Sequence, residues 1–167
     1  MGGSGVEERI TALLAQRHGP GWGPEPWDRR SEYLDGFGNV SGALLYSALF
    51  VPELIEVEGC VFLKDVGWKG VGWDEVAAGV KAARAEAPEK LKWYVDSFNW
   101  VELPYLFNDR GGFDDEAEAL AEVLVQAWRA RLKDLFPDRR FVVRVMTLEE
   151  TGGTAGLGFE MVLDKAT

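Results

Sequence analysis

A single histidine, His18, and a single cysteine, Cys60, bound the chemistry open to this 167-residue chain. A Ser-His-Asp or Cys-His arrangement would have to take His18 as its base. His18 closes a short amphipathic pattern just before Gly19, where a histidine suits the last carbonyls of a helix. Cys60 follows a turn and falls in phase with apolar strand residues, the setting of a small buried hydrophobe. No Lys, Arg or His adjoins it in sequence to lower its pKa. A His/Cys zinc site is excluded by number, and an internal disulfide lacks its second cysteine. The glycines of Thr151–Gly158, TGGTAGLG, invite comparison with a phosphate-binding loop. Such a loop opens a helix, whereas this one leads into a strand and carries no Gly-Lys-Ser/Thr. Asp109, Asp114, Asp115 and Glu116 lack the alternating oxygens of a calcium loop. No catalytic set, metal or cofactor is expected.

Recognition is what remains, and two groups of residues suit it. From Glu102 to Glu122, seven carboxylates stand against Arg110 alone: Glu102, Asp109, Asp114, Asp115, Glu116, Glu118 and Glu122. Those at the start of a helix are favoured there by the helix dipole. Together they also make an acidic face for a basic protein partner, with Trp100 and Tyr105 as its buried anchors. The second group is aromatic. Trp68, Lys69 and Trp73 lie on a glycine-rich loop. Trp93, Tyr94, Phe98, Trp100, Tyr105 and Phe107 crowd into fifteen residues, too many for one helix stripe. Tyr94, Phe98 and Phe107 are assigned to the core. Trp68, Trp73, Trp93 and Trp100 are left to line a cleft between sheet and helices, the setting of a small-molecule site. The candidate binding residues are therefore Trp68, Lys69, Trp73, Trp93, Trp100, Tyr105, Asp109, Asp115 and Glu118.

Composition narrows the partners. The net charge is −10, and no basic run exceeds two residues. This argues against nucleic acid and anionic membranes, which both require Lys and Arg to displace counterions. No apolar run reaches the 18 residues of a membrane span. Residues 1–5, MGGSG, read as a flexible leader or cloning remnant without signal-peptide character. The expectation is a cytosolic protein, with residues 6–167 forming one globular domain.

The positioning elements follow from periodicity. Asp114–Phe136 is a long amphipathic helix in which Leu120, Val123, Leu124, Ala127, Trp128, Leu132 and Leu135 share a stripe. Pro137 ends it, and Phe141, Val143 and Val145 then alternate as a strand. Leu54–Leu63 reads as a hairpin about Glu58-Gly59, pairing Val57 with Cys60 and Ile55 with Phe62 and setting Glu53 opposite Lys64. A second hairpin, Phe141–Leu163, pairs Val145 with Phe159, Val143 with Met161 and Phe141 with Leu163. Its Thr147–Gly156 turn is expected to be mobile. Helices are expected at Val6–His18, at Asp74–Ala85 with Asp74 as N-cap, and at Pro88–Phe98 with proline in the first turn. Gly42–Phe50 is expected to be buried, with a helical turn before Pro52. Gly19–Arg30 is too rich in Gly and Pro for a regular element. The predicted class is α+β: two antiparallel hairpins forming one sheet of about four strands, packed against about three helices.

Overall fold

In a computed structural model of the chain, described over residues 9–10, 12–13, 40–64, 70–106 and 114–163, the architecture is mixed α+β with two antiparallel sheets. The elements, in chain order, are α1 (Val40–Phe50), β1 (Leu54–Val57), β2 (Cys60–Leu63), α2 (Trp73–Glu86), α3 (Pro88–Asp96), β3 (Trp100–Glu102), α4 (Leu103–Leu106), α5 (Asp114–Leu135), β4 (Phe141–Met146), α6 (Leu148–Thr151) and β5 (Gly156–Met161). Residues 9–10 and 12–13 are helical. Gly19–Arg30, expected to be irregular, His18, and residues 1–5, read as a leader or cloning remnant, lie outside the described residues.

The first hairpin has the expected register, with Val57 paired to Cys60, Ile55 to Phe62 and Glu56 to Val61. Glu58 and Gly59 both have positive φ, +50° and +77°. This is the backbone of a two-residue turn whose twist matches that of the strands. The Lys64 ammonium meets the Glu53 carboxylate at 2.6 Å across its open end.

The four-strand sheet is not formed. β1 and β2 make one sheet, and β3, β5 and β4 make another in that order. The strand absent from the expected set is β3, three residues between the expected helices Pro88–Phe98 and Asp114–Phe136. It also corrects the register of the second hairpin. Val145 pairs with Leu157, Val143 with Phe159 and Phe141 with Met161, a slip of two residues from the expected pairing. A two-residue slip leaves every side chain on its predicted face, so alternation could not detect it. What decides it is β3, which sets Trp100 opposite Gly158. A Cβ on Gly158 would lie 2.8 Å from the Trp100 Cβ, and one on Gly156 would lie 2.9 Å from the Val101 carbonyl. The two glycines therefore stand where another strand and its tryptophan press closest. The loop expected to be mobile instead contains α6, begun by a capping box. The Thr147 hydroxyl accepts from the Glu150 amide at 3.3 Å, and the Glu150 carboxylate accepts from the Thr147 amide at 2.8 Å.

Asn99 joins the two sheets. It is buried, and its side-chain amide reaches the edge of β2, donating to the Val61 carbonyl at 2.9 Å and accepting from the Leu63 amide at 3.0 Å. Its own carbonyl accepts from the Phe159 amide of β5 at 2.9 Å. One residue, through its side chain on one side and its backbone on the other, thus stands in for a strand between β2 and β5. Because Phe159 directs its polar groups toward β3, its partner Val143 directs its own toward the outer edge of β4. There the Arg129 guanidinium from α5 donates to the Val143 carbonyl at 2.7 Å, occupying a strand edge that would otherwise invite another chain.

The core lies between α5 and the inner face of β4 and β5, and extends to α2, α3 and the first hairpin. Trp128, Leu124 and Leu132 of α5 are buried against Phe159 and Leu157. The buried stripe runs through Ala121, Leu124, Val125, Trp128 and Leu132, while Leu135 is exposed. In α2 the N-cap is Gly72, and Asp74 lies in the first turn, so Asp74 is not the cap. α3 ends at Asp96, short of Phe98, and has Pro88 in its first turn as expected. Helix α1 is longer than the predicted turn, and its expected burial is not found. Among its described side chains only Leu49 is buried. Among the described residues no helix is long and apolar enough to cross a membrane.

Candidate functional site

The acidic stretch divides between elements. Glu102 belongs to β3 and is half-buried. Asp115, Glu116, Glu118 and Glu122 all belong to α5, with Asp115 exposed. Their helix forms because apolar residues recur on its opposite side and proline stops it only at Pro137. The residues left over at three- and four-residue spacing must then face outward together. Asp114 opens α5, and Asp109 lies outside the described residues.

Two of these carboxylates are occupied from a distant part of the chain. Arg9 donates from Nη2 to Glu118 at 2.8 Å and from Nη1 to Glu122 at 3.0 Å. A planar guanidinium spans the four-residue spacing of the two carboxylates, the geometry that makes arginine the cation of choice for paired oxygens. The Glu118 bond holds the Arg9 pKa up against the cost of burial, with the charges of Glu122, Glu118 and Asp115 adding to it. More than a hundred residues separate the partners in sequence, so charge counting along the chain could not find the pair.

The aromatic candidates do not share one setting. Trp73 opens α2 and is half-buried, its ring 6.4 Å from that of Phe62, so it packs against the core. Trp93 projects from α3 and is 70% exposed. Trp100 is half-buried on β3, across from Gly158. Tyr105 lies in α4, and its side chain is outside the described residues, as are Trp68 and Lys69. Tyr94 and Phe98 pack on each other at 5.2 Å, and Phe98 meets Phe62 edge-on at 5.8 Å, the core role expected of them. Phe107, assigned to the core as well, lies outside the described residues.

A second charged group went unforeseen. Lys92 of α3 bonds to Asp96 one turn on and to Glu160 of β5 at 2.6 Å. Arg144 of β4 grips Glu150 through two bonds, at 2.7 and 2.8 Å, and reaches Glu160 at 3.0 Å. Five charges from four elements are thus linked in one chain. The Arg144 and Thr147 bonds draw the Glu150 carboxylate down to about 2. The Lys92 bond, with Arg144 behind it, lowers Glu160 against the effect of burial. Burial pushes Asp96 up despite Lys92, and its Oδ1 is buried without a hydrogen bond. The i,i+4 spacing of Lys92 and Asp96 and the Thr147-to-Glu150 spacing were both legible as local motifs. Their meeting at Glu160 was not. The expected pairing of Val145 with Phe159 would set Arg144 directly opposite Glu160, but Arg144 pairs with Gly158, so the contact is diagonal.

Cys60 is fully buried, and burial raises its thiol pKa. Arg84, supplied by α2, lies 3.7 Å from its sulfur and only partly opposes that shift. Among the described residues, no group of three or more His, Cys, Asp or Glu side chains is placed to hold a metal ion. The chain matches no protein-family model, no curated protein and no solved structure.

Proposed function

We propose that the protein is a small acidic docking module whose carboxylate-bearing α5 face engages a basic protein, in the manner of an inhibitor or immunity-type protein. The observation that supports this reading is Asp115, exposed on α5 one turn from Glu118; Glu118 and Glu122 themselves are bridged by Arg9. The net charge of −10 adds long-range attraction for a cation-rich surface. Trp100, the expected anchor, is half-buried, and the most exposed tryptophan among the described residues is Trp93 of α3. The alternative of an aromatic-lined small-molecule cleft gains no support from Trp73 packed into the core and Trp93 turned to solvent.

Affinity capture from native lysate followed by surface plasmon resonance tests the reading. Asp115→Lys should slow association with a captured basic partner, and raising salt should do the same, because screening shortens electrostatic steering. If the variant associates at the wild-type rate while its melting temperature falls, these carboxylates serve only the helix dipole and the docking reading is wrong.

A further inference from the structure

The last turn of α3 carries a charge where a helix least favours it. Asp96 is the final helical residue, and no basic residue stands in that turn. The carbonyl end of a helix is the negative end of its dipole and repels a carboxylate. The cation that answers Asp96 is Lys92, four residues earlier. That order is the poorer one for a helical ion pair, since each charge then faces the wrong end of the dipole. The Asp96 Oδ1 is moreover buried without a hydrogen bond, so one oxygen of the carboxylate has neither water nor a donor.

Lys92 is shared. It also donates to Glu160 of β5 at 2.6 Å, so one ammonium serves carboxylates from two elements. Behind Glu160 stands Arg144 of β4 at 3.0 Å, whose other bonds go to Glu150 of α6. The neighbouring Lys90 faces Glu86 instead. The charges that bear on Asp96 are therefore Lys92, Glu160 and Arg144, with Glu150 beyond them. Two cations, Lys92 and Arg144, stand against three carboxylates, Asp96, Glu150 and Glu160, which leaves a net charge of −1. One proton balances the group, and Asp96 is the place for it. Arg144 draws Glu150 down and Lys92 draws Glu160 down, whereas burial pushes Asp96 up.

The turn that Asp96 closes leads to the joint between the sheets. The amides of Ser97, Phe98 and Asn99 donate to the carbonyls of Trp93, Val95 and Asp96, each at 3.1 Å, and Asn99 then reaches β2 and β5. We propose that Asp96 and Lys92 form a proton-operated latch, in which uptake of one proton by Asp96 passes Lys92 wholly to Glu160 and tightens the end of α3, with the Asn99 joint, onto β5. The latch uses no residue of α5, so it stands apart from docking there.

Carboxyl NMR titration of the full chain, joined to amide hydrogen exchange, tests it. The Asp96 midpoint should lie above its ordinary 3.8. Asp96→Asn stands in for the protonated side chain and cancels the response of every other group. At neutral pH the Ser97, Phe98 and Asn99 amides should exchange faster in the wild type than in this variant, by tenfold for each pH unit between the midpoint and 3.8. The difference should vanish below 3.8. Lys92→Met, Glu160→Gln and the pair together, read by the same amides at neutral pH, give the Lys92–Glu160 coupling. It should be larger in the Asp96→Asn background than in the wild type. An Asp96 midpoint at or below 3.8 overturns the latch. So do amides that exchange alike in the two proteins at neutral pH, and so does a coupling that is equal or smaller in the Asp96→Asn background.

Discussion

Asn99 has two duties that no other residue in its position could share. Its side chain satisfies one donor and one acceptor at the β2 edge, and its backbone carbonyl joins β5. Asn99→Ala leaves the Leu63 amide and the Val61 carbonyl buried without partners. Each such group costs about 1–3 kcal/mol, so a loss of several kcal/mol is expected in a urea titration. Asn99→Asp keeps the acceptor but turns a carboxylate oxygen toward the Val61 carbonyl, and should be no better tolerated than alanine. A loss under about 1 kcal/mol for the alanine variant would show that the two sheets are held together by apolar packing alone. Trp128 is the corresponding anchor in the core. It is fully buried, packs edge-on against Phe159 at 6.3 Å, and spends its indole N–H on Leu49. Trp128→Ala should cost about 3–5 kcal/mol, a large share of the stability of a domain this size. Trp128→Phe should recover part of that, but not the bond that fastens α1.

Among elements, the α2–α3 pair shows how a local rule yields to packing. Gly79 stands in the middle of α2, where glycine is about 1 kcal/mol worse than alanine for helix formation. Propensity alone therefore recommends Gly79→Ala. The structure places the Tyr94 ring of α3 against it, so that an added Cβ would lie 2.1 Å from Oη and 2.3 Å from Cζ. Tyr94 must then rotate away, and in doing so loses its contact with Phe98. The expected outcome is a lower melting temperature for Gly79→Ala, and a rise would mean that the tyrosine yields freely. The elements legible in sequence were those with long periodic patterns. α5 and α3 begin where charge and proline chemistry placed them, and the first hairpin keeps its turn and register. β3 was not legible because three residues carry no period, and without it the second hairpin could slide by two. The extent of α1 was legible only in part, since its side chains are apolar all round and periodicity cannot say which side is buried.

At the scale of the whole molecule, acid stability reports on the charge chain that ties α3 and α6 to the sheet. Glu160 and Glu150 have folded pKa values below the ordinary 4.5, Glu150 at about 2. Their contribution is present above the ordinary value and lost as pH falls toward their folded values. Asp96 acts in the other direction. Burial raises its pKa, so the folded state takes up this proton before the unfolded chain does, and folding is helped as pH drops through that raised value. The melting temperature should therefore fall between about pH 4.5 and 2. Asp96→Asn should make that fall steeper, because it removes a group that opposes it. An unchanged fall in the variant would mean that Asp96 ionises as it does in water, and a shallower one that Lys92 outweighs burial. Glu150 is exposed, so salt should weaken its share more than that of Glu160.

Taken alone, the sequence determined what depends on neighbours along the chain. The mixed α+β class, the long helix, the first hairpin with its Glu53–Lys64 pair, and the dense carboxylates of α5 all rest on local periodicity, turn chemistry and charge spacing. Tertiary structure decided what depends on residues far apart. It split the expected sheet in two at Asn99, brought Arg9 onto Glu118 and Glu122, set Arg84 beside Cys60, and left Val40 and Leu44 of α1 exposed on the side away from Leu49. The physical reason is the same in each case. Alternation and helical repeat say which residues share a face, but two faces meet only once the chain has closed. Which face then stays open to a partner is settled by the packing that remains.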